Sequence, residues 1–233
     1  MGMLKRKRVS SAKPKNTRKR ATYAVKSSSP TIPRRVGEGN EIYVSLHFAS
    51  RFSLNAGGGG SGAYQQYRLG SINDPDFTNI TGTQPMGHDQ YALLFEKYVV
   101  YEVQYKVIMT GNSAEYLLAT VGVGDASTTT ADIDRMIEQG QYEWKVISQT
   151  GGGQDVVTFR GTVDMAKAHG VTRQQLLADD SYRAIFNANP AEDQFLNVGV
   201  APLPLTIDAT NIDGFIFMTY KCKLMGNILT TRS

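Results

Sequence analysis

Twelve cations sit in the first 35 residues without one carboxylate among them: Lys5, Arg6, Lys7, Arg8, Lys13, Lys15, Arg18, Lys19, Arg20, Lys26, Arg34 and Arg35. Closely spaced ammonium and guanidinium groups release counterions from a phosphate backbone. These residues are therefore the candidate nucleic-acid contacts, without sequence readout and with affinity that falls as salt rises. Within the run, Lys5-Arg6-Lys7-Arg8 and Arg18-Lys19-Arg20 form two clusters about ten residues apart, the pattern that a nuclear import receptor reads as extended basic side chains. The remaining 13 basic and 21 acidic residues leave the rest of the chain at −8, so the overall +4 conceals a segment of +12 tied to an acidic body. A solubilising tail is the alternative, although such tails seldom exclude acids so completely.

Other residue types offer less. A nucleophile–base pair needs a histidine oriented by a carboxylate and placed beside a serine or cysteine, and the chain has only His47, His88 and His169. His88 and Asp89 are neighbours in sequence, so their side chains are expected to diverge in a polar turn. His47 falls opposite the apolar set of its strand and is expected at a surface or interface. No catalytic residue is assigned. Asp74-Pro75-Asp76 and Asp179-Asp180 hold oxygens of the kind Ca²⁺ takes, but there is no EF-hand loop, and such pairs serve as helix caps and turn formers; no metal ligand is assigned. The glycines at 57–60 lack the Gly-Lys-Ser/Thr ending of a phosphate loop, and Gly122-Val123-Gly124 opens no strand–loop–helix unit. No cofactor pattern is present. Trp144, Tyr142, Tyr98, Tyr101 and Tyr105 have the faces on which bases stack, with core or subunit packing as the competing role. Lys221 and Lys223, flanking Cys222, are body cations that would extend the basic site.

The elements that carry these residues read as strands. Ile42, Val44, Leu46 and Phe48 alternate with Tyr43, Ser45 and His47, the period of a half-buried strand, and the strand is expected to stop at Asn55 before a glycine-rich loop. Further strands are predicted over 64–69, 98–109, 116–123, 142–148, 156–163, 194–200 and 212–225. The one at 98–109 should place Val99, Tyr101, Val103, Tyr105 and Val107 on one face. Residues 71–90 read as a long irregular connection. Helices are predicted at 128–139, where Thr130 would cap and Gly140 terminate, and at 172–178. There is no βαβ rhythm and no repeat. The economical solution is all-β: an eight-stranded antiparallel jelly roll of two packed sheets over 36–233, short helices in its connections, behind a disordered basic arm over 1–35. Apolar runs fall short of a membrane span, the basic N-terminus has no apolar stretch of a secretory leader behind it, and a lone Cys222 fits a reducing compartment.

The stretches 67–76 (Tyr-Arg-Leu-Gly-Ser-Ile-Asn-Asp-Pro-Asp), 84–91 (Gln-Pro-Met-Gly-His-Asp-Gln-Tyr) and 95–101 (Phe-Glu-Lys-Tyr-Val-Val-Tyr), taken with the arm, resemble the capsid proteins of small circular single-stranded DNA viruses that encode a replication initiator, the circovirus-like group. The resemblance implies a jelly-roll subunit and sixty copies in a T=1 icosahedral shell. It implies an arm turned inward on the packaged circular genome, nuclear entry for assembly through a host import receptor, and a host-cell receptor at the outer surface. Virion and host nucleus would be the locations, with no membrane insertion. Two alternatives stay open from the residues themselves: a nuclear single-strand-binding module that forms no shell, and the capsid protein of a small RNA virus.

Overall fold

Alternation in the first strand becomes burial. In the computed structural model, β1 (Glu41–Ala56) turns Leu46, Phe48, Phe52, Leu54 and Ala56 inward and leaves His47, Ala49, Arg51, Ser53 and Asn55 exposed. The structure describes residues 41–57, 62–78, 83–111, 115–124, 133–148, 155–203 and 210–227. The other long strands are β2 (Ala63–Arg68), β3 (Phe95–Gly111), β4 (Leu117–Gly124), β5 (Tyr142–Ile147), β6 (Val156–Asp164), β8 (Phe195–Pro202) and β9 (Thr210–Asn227); β7 is the dipeptide Ala184–Ile185. Short helices α1 (His88–Ala92), α2 (Ile133–Glu138), α3 (Met165–Ala168) and α4 (Arg173–Ala178) lie in the connections, with a 3₁₀ turn at Asp180–Tyr182.

Strand order defines the architecture. One sheet runs β1-β9-β3-β6 with β7 added beside β3, and the other runs β2-β8-β4-β5. Setting the two-residue β7 aside, the first strand pairs with the last, the second with the next to last, β3 with β6 and β4 with β5, all antiparallel. Successive pairs alternate between the two sheets. That is a hairpin-like ribbon rolled up into a jelly roll, the fold class expected from the sequence.

The core fills the space between the sheets, with Tyr67, Tyr98, Tyr220, Phe159, Leu46 and Met109 fully buried. Two of these buried phenols have partners: Tyr98 donates to the Ala188 carbonyl at 2.9 Å and Tyr220 to the Arg68 carbonyl at 2.7 Å, whereas the Tyr67 hydroxyl has none among the described residues. β8 is buried on both faces. Leu196, Val198 and Val200 join the core, while α2 brings Ile133 and Met136 into a second cluster with Tyr142 and Ala201. Gly199 is a consequence of that packing, since a Cβ there would lie 2.6 Å from the Ile133 side chain.

Several expectations need correction. β1 runs through Asn55 and Ala56, because β9 pairs with it out to Ala56↔Thr210. Val99, Tyr101, Val103, Tyr105 and Val107 do not share a face. The register slips between Val100 and Glu102, so Val99 sits opposite Lys223 while Val103 sits opposite the inward Tyr220. Such a bulge inverts the in–out parity of the strand. Val99 is nonetheless buried, on a strand against which α3 and α4 pack. The described part of the predicted helix at 128–139 is Ile133–Glu138, and Thr130 lies outside the described residues, as do Gly58, Gly59 and Gly60 of the loop. α1 falls where irregular chain was expected, and α3 and β7 were not anticipated.

Candidate nucleic-acid interface

The motif stretches turn out to hold the ends of the sandwich in place. Gly87 has φ 93°, a left-handed value that favours glycine, and it turns the chain from Pro85-Met86 into α1. His88, buried, then points Nε2 at the Phe186 carbonyl (2.9 Å) and Nδ1 at Asp89 Oδ1 (3.0 Å). The two side chains therefore meet where they were expected to diverge. Both ring nitrogens face an acceptor, which leaves none to activate a nucleophile.

Beside that turn, Asp193 accepts from the Gly70 amide (2.7 Å) and the Gln194 amide (2.8 Å) through Oδ1. Its Oδ2 is buried without a hydrogen bond, 3.5 Å from the Arg68 guanidinium. Burial pushes the Asp193 carboxyl up to about 6 against the opposing pull of the two amides and Arg68. Arg68 also lies 4.6 Å from the Phe77 ring centroid and 5.5 Å from that of Phe195.

The acidic pairs do local work. Asp76 is buried and receives both contacts of the Gln65 amide, at 3.0 and 2.9 Å. Burial raises the Asp74 carboxyl. Asp179 caps the 3₁₀ turn through the Ser181 amide (2.8 Å), which lowers its carboxyl, and Asp180 pairs with Lys97 and Arg183. Among the described residues, no three His, Cys, Asp or Glu side chains gather as a metal site. Gly122 lies within β4 opposite Tyr142, whose ring a Cβ would meet at 2.4 Å. His169 packs on Tyr182 with ring centroids 4.7 Å apart, and burial lowers it.

Of the sequence-assigned cations, Lys5, Arg6, Lys7, Arg8, Lys13, Lys15, Arg18, Lys19, Arg20, Lys26, Arg34 and Arg35 lie outside the described residues. Lys221 and Lys223 are described, and each is neutralised locally. Lys221 reaches Glu102 at 2.6 Å and Lys223 reaches Glu41 at 2.8 Å, and the hydrogen bond from Lys221 holds the Glu102 carboxyl below its usual range. Tyr98 and Tyr142 are buried, whereas Trp144 is 54% exposed on β5. Tyr101 meets Tyr43 edge-on and carries the Arg173 guanidinium 4.4 Å from its centroid.

Sheet register assembles a different set. On the outward face of β1-β9-β3-β6, one cross-strand row is Ala49, Phe217, Lys106 and Arg160, and the next is Arg51, Phe215, Ile108 and Thr158. The row on the other side is His47, Thr219, Gln104 and Thr162. Phe217 is 44% exposed and meets Phe215 with centroids 4.3 Å apart. A shallow depression of about 220 Å³ opens beside Phe215, lined also by Arg51, Ile108, Thr110, Asp213 and Gly214. These residues are scattered through the sequence, and only strand pairing could have revealed them.

No protein-family model matches this chain, and no curated protein does. Similar solved structures are viral coat proteins. The decameric BFDV capsid protein is 12% identical over 79% of this chain and 98% of its own, with a TM-score of 0.41. The semi-empty VLP of the giant freshwater prawn Macrobrachium rosenbergii nodavirus gives 8% identity over 80% of this chain and 95% of its own, TM-score 0.45. Mud crab tombus-like virus gives 10% identity, covering 97% of this chain and 94% of its own, TM-score 0.45.

Proposed function

We propose that this chain is the coat protein of a small circovirus-like DNA virus, sixty copies of which close into a T=1 shell around circular single-stranded DNA held by residues 1–35. The observation that carries this reading is the joining of two parts with opposite electrostatic characters. One is an acid-free basic segment, and the other is a jelly roll whose part of the chain, residues 36–233, carries net −8. The acidic body leaves most of the polyanion binding to the arm. Sixty arms of +12 would bring roughly 700 positive charges inside, neutralising on the order of 700 nucleotides through counterion release. Arms of like charge repel one another until a polyanion arrives, so assembly is coupled to DNA. The same arm, through its two basic clusters, would carry the subunit to the host nucleus. Loops gather at the ends of a sandwich and are the expected subunit contacts and receptor surface.

The test is negative-stain electron microscopy of the purified full-length protein, with the 260/280 nm absorbance ratio taken on the same sample. Uniform spheres with a high ratio are expected, their nucleic acid sensitive to DNase. RNase-sensitive contents would move the assignment to an RNA virus, and the absence of particles across salt and pH would leave a binding module that forms no shell.

A further inference from the structure

Lys106 and Arg160 sit directly opposite each other on neighbouring strands, β3 and β6. Like charges in that relation are destabilising. No carboxylate relieves them: the three rows that contain His47, Arg51, Lys106 and Arg160 hold no acidic side chain. Arg51, Lys106 and Arg160 make no ion pair with any described residue, in contrast to Lys221 and Lys223 in the same sheet. The acids of this face lie at the ends of the block: Glu102 and Asp164 one row beyond Gln104, and Asp213 one row beyond Phe215, where it lines the same depression as Arg51 without forming an ion pair with it.

Between the unpaired cations lie Phe217 and Phe215, one of them nearly half exposed where strand alternation on a solvated face calls for a polar residue. Exposed rings would serve a protein contact as well, and such a contact would have to bring carboxylates to all three cations. An anion with flat apolar rings satisfies both features at once. Phosphates relieve the Lys106–Arg160 repulsion, and bases stack on the phenylalanine faces.

We propose that the outward face of the β1-β9-β3-β6 sheet is a second single-stranded nucleic-acid contact, in which Arg51, Lys106 and Arg160 hold backbone phosphates and Phe217, backed by Phe215, stacks a base. The inference deepens the packaging reading and takes its source of nucleic acid from it. It places a short-range stacking contact on the folded body, separate from the electrostatic arm. With a cross-strand spacing of about 4.8 Å, the four strands span about 14 Å, room for a few nucleotides.

The test uses the full-length chain with oligonucleotides of thymidine and of uridine, each carrying an iodinated base for photo-crosslinking, mapped by mass spectrometry. Cross-links at Phe215 or Phe217 are expected. The variant R51Q/K106Q/R160Q should flatten the slope of log affinity against log salt by about 2, at about 0.7 per phosphate lost. F217A should weaken binding about fivefold or more, and the triple variant, which removes a like-charge pair, should melt no lower than the parent. Preference between the two oligonucleotides assigns the source as DNA or RNA. Cross-links confined to residues 1–35 with an unchanged salt slope would overturn this inference while leaving the packaging reading intact. A change of assembly state without a change of slope would overturn it too, making the face a subunit contact. Failure of the parent chain to bind either oligonucleotide would overturn both.

Discussion

Asp193 concentrates the electrostatic cost of the body in one side chain. Its Oδ1 is fully engaged by two backbone amides, so a proton would go to Oδ2, buried without a hydrogen bond. With the folded-state value raised to about 6, the folded protein holds a proton through a range in which the unfolded chain has lost it. Stability from this group is therefore greatest at low pH and declines as pH rises through about 6. At about 1.4 kcal/mol per pKa unit, roughly 1 kcal/mol should be lost between pH 5 and pH 7.5. The carboxyls held low, Glu102 and Asp179, act in the opposite sense and only toward more acid pH, while His169, held low by burial, acts in that opposite sense within the window and cancels in a comparison of parent with variant. The check is urea denaturation of the parent and of Asp193→Asn at both pH values: the stability difference between them should change by about that amount. Parallel curves would mean that Asp193 does not titrate in this window.

Strands are where sequence and structure agree best, and the reason is periodicity. Ile42, Val44, Leu46 and Phe48 announce β1 because one face of it is solvated, and the expected strand at 142–148 closely matches β5. α1, α3 and β7, of five, four and two residues, are too short to show a period; the local signals were Gly87 before α1 and Asp164, which caps α3. The bulge between Val100 and Glu102 was hidden because valines and tyrosines fill both faces there. The cationic block was illegible for another reason. Arg51, Lys106 and Arg160 are isolated basic residues in sequence and become neighbours only through register, whereas the two lysines beside Cys222 looked like a cluster and proved to be paired with Glu102 and Glu41. Register also makes the repulsion measurable. Arg160→Glu converts a like-charge cross-strand pair with Lys106 into an opposite one and should stabilise the body by about 0.5 kcal/mol. Because Arg160 is exposed, the gain should shrink as salt rises. Chemical denaturation at low and high salt reads this directly, and a loss of stability would mean that the two cations are not repelling each other.

At the scale of the whole molecule, charge and fold separate along the chain. Every buried apolar side chain among the described residues lies between Leu46 and Leu224, and both edges of each sheet are formed without the first 40 residues. Removing residues 1–35 takes away twelve cations and no acid, so the truncated chain falls from +4 to −8. The jelly roll loses no described core contact, and its melting temperature and far-ultraviolet circular dichroism should stay close to those of the full chain. Nucleic-acid uptake should collapse, because the three unpaired cations on the sheet face cannot replace twelve: at about 0.7 per phosphate, their salt slope is close to −2 against roughly −8 for the arm. Assembly should respond in the opposite direction. Once the arms no longer repel one another, subunits should associate without a polyanion, limited only by the mutual repulsion of acidic bodies, which salt screens. Analytical ultracentrifugation across salt concentrations, with absorbance at 260 nm followed on each species, separates these effects. Particles free of nucleic acid that grow with added salt are the expected result. Retention of nucleic acid at the full-length level would assign packaging to the body and not to the arm.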